Sequence, residues 1–416
     1  MAVWDDLVGQ DRVAVQLAAA ARDADALVTA AAAAAAVGQA GGGGTSAGPE
    51  APGASKMTHA WLFTGPPGSG RATAARAFAA ALQCVSPDRA LGGAPGCGFC
   101  DGCHTALVGT HADVEIVRTD LLSIGVKETR ELVRRAQLSP AGGRWQVIVL
   151  EDADRLTEGA ANVLLKAVEE PAPRTVWLLC APSLEDVLPT IRSRCRHLTL
   201  RTPPVDAVAD VLVRRDGIEP GLAASVARAT QGHIGRARRL ATDERARARR
   251  AAVLKLPLRV DDVGGCLKAA QELIDAATDD AKQLAEEVDA KETEELRAAL
   301  GAAGTGGRLP RGTAGAMKEL QDRQKRRATR TQRDSLDLAL TDLVGFYRDV
   351  LALQLGSETA IANVDVRDAL ERIAAGSRPE RTLRRIEAVT ACRQALDSNV
   401  APLLAVEAMT MALRAG

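Results

Sequence analysis

A glycine-rich loop between an apolar run and an alanine-rich segment constrains this chain more than any other feature. The stretch reads HAWLFTGPPGSGRAT at residues 59–73. The apolar run Ala60–Phe63 predicts a short buried strand, and Arg71–Leu82 predicts a helix. A strand, a glycine-rich turn and a helix in this order form a loop whose backbone N–H groups can hold phosphate oxygens. We therefore expect a phosphate-binding loop at Gly65–Gly70.

The loop keeps the glycine spacing of the G-x-x-x-x-G-K-[ST] motif but not its last two residues. Its nucleotide-binding candidates are Gly65, Pro66, Pro67, Gly68, Ser69, Gly70, Arg71 and Ala72. Arg71 keeps a positive charge, but a forked guanidinium is not equivalent to a lysine ammonium. Ala72 lacks the hydroxyl that would ligate Mg²⁺. We expect ATP and Mg²⁺ binding to be weak or absent, and a purely structural strand–turn–helix is the alternative.

The first half of the chain alternates predicted strands with predicted helices. The further strands are predicted at Asp113–Val117, Trp145–Leu150, Val176–Cys180 and His197–Leu200. This alternation predicts an α/β fold with a parallel sheet covered by helices on both faces. After Pro203 only helices are predicted, among them one continuous helix over Arg236–Ala251. We expect a nucleotide-binding-like α/β domain at 1–203, a small helical domain at 204–255 and an all-α domain at 256–416.

Two acidic residues follow the apolar run WQVIVL. An ATPase of this layout ends this strand with Asp, which orients Mg²⁺, and then Glu, which activates water. Here the order is Glu151 and then Asp152, and a shorter acid in the second position sits too far from the water for general-base catalysis. The alternative is an acidic N-cap for the next helix, which Asp154 could also supply. Neither interpretation favours an active ATPase site.

Four cysteines in one window predict a metal site. Cys97, Cys100 and Cys103 are spaced as C-x₂-C-x₂-C, and Cys84 lies shortly upstream. Four thiolates suit tetrahedral Zn²⁺ in a closed, structural site. His104 is adjacent, but four cysteines already complete the shell. A redox CxxC pair and an iron–sulfur cluster are the alternatives, and nothing else in the sequence indicates redox chemistry.

The charge balance gives no general case for nucleic-acid binding. The 416 residues include 53 Lys or Arg and 53 Asp or Glu, so any DNA contact has to be local or shared with partners. The beginning of the chain does not read as a secretory signal, and we expect no membrane partner. Residues 30–55, rich in alanine and glycine, are predicted to form a low-complexity insertion or linker.

Three basic features are further candidates. Arg194, in Ser193–Arg194–Cys195, could project from a helix end and stabilise the γ-phosphate of a nucleotide held by another subunit. Arg236 could reach a nucleotide on the first domain. The run at 323–333 contains six Lys or Arg and could touch phosphates. The alternative in each case is an ordinary surface arginine or a solvated basic helix face.

Several segments together resemble the clamp-loader branch of the AAA+ proteins. They are GPPGSGR in the loop, the cysteine window after its helix, NVLLKAVEEPAP at Asn162–Pro173, and TIRSRC at Thr190–Cys195. The resemblance covers residues 1–250, and the remaining helical part fits only in length and class. Within this branch the pattern is most similar to the delta-prime family of bacterial DNA polymerase III.

The resemblance implies a non-motor subunit. The motor subunits of the family, tau and gamma, carry Lys–Thr in the loop and Asp–Glu after the strand, and this chain departs at all four positions. Ser193–Arg194–Cys195, in contrast, matches the family's finger motif in full. The chain is thus expected to have a disabled ATP site of its own and to supply Arg194 to the ATP site of a neighbouring motor.

The resemblance also implies partners. They are the tau/gamma motors and delta in a hetero-pentameric ring, which loads the sliding clamp onto primer-template DNA, with residues 256–416 in the ring's collar. Any DNA polymerase activity would belong to the assembled holoenzyme, in the cytoplasm at the replisome. Two other hypotheses stay open: an active AAA+ motor ATPase, and a zinc-dependent DNA-binding protein with a relic ATPase fold, against which the neutral charge argues.

Overall fold

The chain divides into two compact units in the computed structural model. The structure describes residues 2–38, 56–88, 93–142, 144–299, 314–398 and 400–416. The first unit comprises residues 1–119, 123–227 and 232–236, and the second comprises residues 120–122, 228–231 and 237–416. The predicted three-domain division at 203 and 255 stays a prediction.

A five-stranded parallel sheet forms the centre of the first unit. Its strands are β1 (Ala60–Thr64), β2 (Val114–Val117), β3 (Gln146–Leu150), β4 (Thr175–Ala181) and β5 (Arg196–Thr199). The spatial order is β2-β3-β4-β1-β5. All strands run in the same direction, so the segments that follow β1, β3 and β4 meet at one edge of the sheet.

Both faces of the sheet are buried, which explains why the strands read as continuous apolar runs. On one face Trp61 and Phe63 pack in a core with Phe78, and the Trp61 and Phe78 rings meet edge to face at 5.1 Å. On the other face Leu62 and Ile148 belong to a second core. The predicted α/β fold with a covered parallel sheet is confirmed.

Eight α-helices of the described residues lie wholly or mostly in the first unit. They are α1 (Asp11–Gly38), α2 (Arg71–Leu82), α3 (Asp101–Val108), α4 (Val126–Ala136), α5 (Glu158–Glu169), α6 (Pro189–Arg192), α7 (Val205–Asp216) and α8 (Pro220–Ala229). Alanine favours helix, and α1 accordingly continues through the alanine tract to Gly38. The glycine-rich part of the predicted insertion, 39–55, lies outside the described residues.

The second unit is helical, as predicted. After α9 (Ile234–Thr242), which contributes residues to both units, it contains α10 (Glu244–Lys255), α11 (Val263–Ala299), α12 (Ala314–Gln354), α13 (Arg367–Gly376), α14 (Pro379–Asp397) and α15 (Pro402–Ala415). Phe346 and Tyr347 of α12 are buried in its core. Among the helices that the structure describes, none is both long and apolar enough to cross a lipid bilayer.

The predicted continuous helix over Arg236–Ala251 is wrong. The chain forms α9 and α10 instead, with Asp243 between them. The Asp243 carboxylate accepts hydrogen bonds from the N–H groups of Arg245 and Ala246, at 2.9 and 3.2 Å. This N-cap satisfies amides that begin a new helix, so it ends one helix and starts another.

The basic run at 323–333 lies on α12 beside the acidic face of α11. Arg323 and Arg327 form ion pairs with Glu292 at 3.0 and 2.7 Å, and Arg327 also contacts Asp289. Much of the positive charge in this run is therefore balanced within the second unit.

Candidate functional site

The loop between β1 and α2 has the shape of a phosphate-binding loop. The N–H of Gly65 donates to the carbonyl of Pro182, which follows β4, at 3.1 Å, and the Ser69 N–H donates to the Pro66 carbonyl at 3.0 Å. Gly70 precedes α2 with φ 89°, a left-handed conformation, and has no side chain to cap the helix. No side chain at Gly70 therefore caps the first amides of α2. Uncapped amides are what an anion-binding helix end requires.

A buried hydroxyl lies inside this loop. Ser69 is 1% exposed, and its Oγ has no hydrogen-bond partner among the residues that the structure describes. A Cβ atom placed on Gly65 would lie 2.8 Å from this oxygen and 2.4 Å from the carbonyl of Leu200. The hydroxyl thus faces the inside of the turn, where it could donate to a phosphate oxygen.

The imidazole of His233 covers the loop at Gly68. A Cβ atom on Gly68, which has φ 87°, would lie 2.4 Å from the His233 ring, so only glycine allows this approach. Burial, together with the positive charge of Arg236, lowers the pKa of His233 to about 4. The neutral ring accepts a hydrogen bond at Nδ1 from the Arg236 N–H, at 3.2 Å. This contact places Arg236, a sequence-predicted nucleotide contact, beside the loop.

A glutamine near the beginning of the chain braces the same loop. The Gln10 side-chain amide donates to the carbonyl of Ser69 at 3.2 Å and to that of Arg201 at 2.5 Å. Gln10 is buried. Sequence reasoning missed both Gln10 and His233, because neither lies in a recognisable spacing with the loop.

Arg71 lies across the loop rather than extending into solvent. Its guanidinium donates to the carbonyl of Gly65. Burial lowers the pKa of Arg71, while the acids Asp152 and Asp154 favour its charge. The positive charge that sequence reasoning assigned to this position is therefore held at the phosphate loop, and Ala72 beside it offers no metal ligand.

The two acids after β3 are both engaged by other groups of the chain. Glu151 forms an ion pair with Arg76 of α2, with 2.6 Å between Oε1 and Nε, and its side chain is only 8% exposed. Asp152 accepts a hydrogen bond from the Thr119 N–H at 3.0 Å. Sequence reasoning missed Arg76, although it lies one helical turn and a half after the loop.

The alternative interpretation of these acids, an acidic N-cap for the next helix, does not hold for α5. Thr157 precedes this helix, and its side chain accepts a hydrogen bond from the Ala160 N–H at 3.3 Å. Burial instead raises the pKa of Asp154. The Thr157 hydroxyl thus fills the capping role that the alternative interpretation gave to an acidic residue.

Arg194 lies on the surface just after α6. Its side chain is 40% exposed and forms an ion pair with Glu169, at 2.5 Å between Nη2 and Oε1. Nη1 donates to the Thr190 carbonyl at 2.8 Å and to the Ser193 hydroxyl at 3.1 Å. The expected exposed arginine is present, with a counter-ion that sequence reasoning did not identify.

The four cysteines of the window form one cluster. The sulfur atoms of Cys84, Cys97, Cys100 and Cys103 all lie within 4.8 Å of one another. The Cys97–Cys103 and Cys84–Cys100 separations are 4.0 and 3.9 Å. A tetrahedron with Zn–S bonds of about 2.3 Å has edges of about 3.8 Å, so these residues fit a zinc ion. His104 is not part of the cluster.

Backbone N–H groups contact two of the four sulfurs. The N–H groups of Val85 and Cys100 point to the sulfurs of Cys100 and Cys97, at 3.4 and 3.3 Å. A hydrogen bond with Cys103 lowers the pKa of Cys84 to about 4, while the same contact and burial raise the pKa of Cys103. A metal ion can hold both sulfurs as thiolates, because it supplies the opposing charge.

Four further cysteines lie outside the window. Cys180, Cys266 and Cys392 are buried, whereas Cys195 is only partly so. Burial raises the pKa of the Cys180 thiol, which keeps it neutral. Three of the four therefore behave as small core residues.

The parallel sheet, with a glycine-rich loop between β1 and α2, has the strand–loop–helix architecture of a P-loop α/β protein. The family described as "DNA polymerase III, delta subunit" matches residues 51–204. This part of the chain is thus similar to a family of DNA polymerase III subunits.

Relatives of two kinds match part of this chain. The gamma/tau subunit of DNA polymerase III from Mycobacterium tuberculosis is 35% identical over 162 residues, which cover 39% of this chain and 27% of the relative. The delta-prime subunits from Pseudomonas aeruginosa and Bacillus subtilis are 37% and 31% identical over 40% and 48% of this chain. The chain spans 51% and 59% of these two relatives.

Proposed function

We propose that the chain is a non-motor, delta-prime-like subunit of the DNA polymerase III clamp loader. In this role it does not turn over ATP efficiently itself. It supplies Arg194 to the ATP bound by a neighbouring motor subunit.

The ion pair between Glu151 and Arg76 carries this proposal. In an ATPase the acids after β3 orient Mg²⁺ and activate water, and both tasks need carboxylates directed to the nucleotide. Glu151 is instead neutralised by a cation of its own chain at 2.6 Å, and Asp152 accepts a backbone N–H. Ala72 removes the remaining metal ligand. The loop amides, Ser69 and Arg71 could still hold phosphate, so binding without turnover fits this site.

The position of Arg194 supports its role in trans. Its guanidinium is far enough into solvent, at 40% exposure, to be reached by a phosphate of another subunit. A guanidinium that contacts the γ-phosphate stabilises the charge of the transition state.

We further propose that the cysteine cluster holds one structural Zn²⁺. Residues Cys84, Cys97, Cys100 and Cys103 would hold the ion, and four sulfur ligands leave no open coordination position for catalysis. The ion would join the end of α2 to the beginning of α3.

The second unit offers a surface for assembly. On α15 the exposed side chains Leu404, Ala408 and Met411 follow one another at helical spacing, and Leu404 is 60% exposed. Such a face fits the collar of a ring. We propose tau/gamma motors and delta as the ring partners, the sliding clamp and primer-template DNA as targets of the complex, and the cytoplasm as its location.

The test replaces Arg194 by alanine in a reconstituted clamp loader. A finger arginine contributes about 10³-fold or more to turnover at the site it serves. We expect kcat of the complex to fall by the fraction of ATP turnover that this one site contributes, and the rate of clamp loading to fall with it. Arg214→Ala removes an exposed arginine of α7 and should leave both rates unchanged. Unchanged clamp loading by Arg194→Ala contradicts the proposal.

A motor ATPase is the second candidate, because gamma/tau subunits are among the relatives and the loop geometry is intact. It requires DNA-stimulated ATP hydrolysis by the purified chain alone. Loss of that activity in Arg71→Ala would favour the motor role over ours.

A further inference from the structure

The guanidinium of Arg194 is held by an ion pair with Glu169 and by two further hydrogen bonds. Glu169 is the last residue of α5, and its Oε1 lies 2.5 Å from Nη2 of Arg194. On the other side of the guanidinium, Nη1 donates to the Thr190 carbonyl and the Ser193 hydroxyl, at 2.8 and 3.1 Å. Two nitrogens of one planar group are thus held from two directions.

The position of Glu169 at the carboxyl end of α5 also favours a contact with a cation. The carboxyl end of a helix carries a partial negative charge, so a glutamate there is unfavourable without a nearby cation. Arg194 supplies that cation to Glu169. Glu170 follows directly and is exposed. In the part of the chain that the structure describes, its side chain forms no hydrogen bond or ion pair. The two neighbouring glutamates therefore differ in the contact with Arg194.

We propose that Glu169 is the positioning residue of Arg194. It holds the guanidinium on the surface in one orientation, so that the group is ordered before a phosphate reaches it. This inference rests on the proposed role of Arg194 in trans. These contacts leave the N–H of Nε and one N–H of Nη2 for a phosphate. Ordering a long side chain in advance lowers the entropic cost of the productive contact.

Loss of this ion pair should have a modest effect on kcat. The side chains of Arg194 and Glu169 are 40% and 37% exposed, and exposed ion pairs are weak. We expect Glu169→Ala to lower the kcat of the assembled motor site by about five-fold, with KM for ATP nearly unchanged. Glu169→Gln keeps a hydrogen-bond acceptor and should restore kcat to within about two-fold of the original.

The experiment measures ATP hydrolysis by the reconstituted complex with clamp and primed DNA. Glu170→Ala is the matched control and should not change kcat. Glu169→Lys, which repels Arg194, should lower kcat at least as far as Glu169→Ala. In the double variant Arg194→Ala/Glu169→Ala, kcat should equal that of Arg194→Ala, because Glu169 acts only through Arg194. Raising the salt concentration should reduce the ratio of original to Glu169→Ala activity.

The outcomes separate this inference from the proposed function. If Arg194→Ala has no effect, the role of Arg194 in trans is wrong. If Arg194→Ala lowers kcat but Glu169→Ala and Glu169→Lys do not, only the positioning role is wrong. A further loss in the double variant beyond Arg194→Ala would also overturn it.

Discussion

Replacing Cys103 by serine should abolish zinc binding by the cysteine cluster and destabilise the first unit. Cys103 is fully buried, and its sulfur lies 4.0 Å from that of Cys97. This separation is within about 0.2 Å of the edge expected for a ZnS₄ tetrahedron. A serine oxygen is a harder and less readily ionised ligand than a thiolate, so the site loses one of its four donors.

The expected loss of stability depends on how much of the first unit's stability a bound zinc ion would supply. Structural Zn²⁺ binds zinc-finger peptides with about 10–16 kcal/mol, which is comparable to the whole stability of a domain, about 5–15 kcal/mol. We expect Cys103→Ser to cost only part of this zinc-binding free energy in stability, because α2 keeps its apolar core around Phe78. We expect a loss of about 4 kcal/mol, which lowers Tm by roughly 8–16 °C for a unit of this size.

The assay combines metal analysis with thermal unfolding of the chain purified under reducing conditions. The original chain should contain one zinc per molecule and Cys103→Ser none. Cys266→Ser is the control, since this buried thiol donates to the Thr410 carbonyl at 3.4 Å and a hydroxyl can do the same. A full equivalent of zinc in Cys103→Ser refutes the reasoning, and so does visible absorbance from an iron–sulfur cluster in the original chain.

Two further predictions concern the phosphate loop. Arg76→Ala leaves the carboxylate of Glu151, 8% exposed, without its cation, and should lower the free energy of unfolding by about 1–3 kcal/mol in urea titrations. Adding Glu151→Gln should recover part of this loss, and no recovery would contradict the pair. His233 has a folded pKa of about 4, below the value near 6.5 of an unfolded histidine, so the unfolded state binds its proton more tightly. Stability should therefore fall by up to about 3 kcal/mol as pH drops from 6.5 to 4, and His233→Gln should lose this slope in urea midpoints measured across that range. An equal slope in both proteins would refute the burial argument.

The class of fold could be predicted from local patterns. The loop at Gly65–Gly70 lies between a strand and a helix that are both specified by residues next to it. Strands buried on both faces read as continuous apolar runs, so the parallel sheet was evident without a structure. The boundary between α9 and α10 was not, because one capping residue, Asp243, outweighs a continuous helical pattern.

The candidate metal site was also readable from the sequence. Cys97, Cys100 and Cys103 lie within one short segment, so their spacing alone brings three ligands together. Cys84 was harder to assign, because the distance along the chain says little about its approach. The fold brings it within 3.9 Å of Cys100 at the junction of α2 and α3.

What the sequence determined by itself was the set of chemical groups: a glycine loop, four thiols, two reversed acids and an exposed arginine. The tertiary structure decided which groups meet. Arg76 and Glu151 are 75 residues apart, yet α2 and the end of β3 place them in contact. Arg194 likewise receives Glu169 from α5, and Gly68 receives the ring of His233. A sequence pattern records neighbours along the chain, whereas the charge of a site depends on neighbours in space.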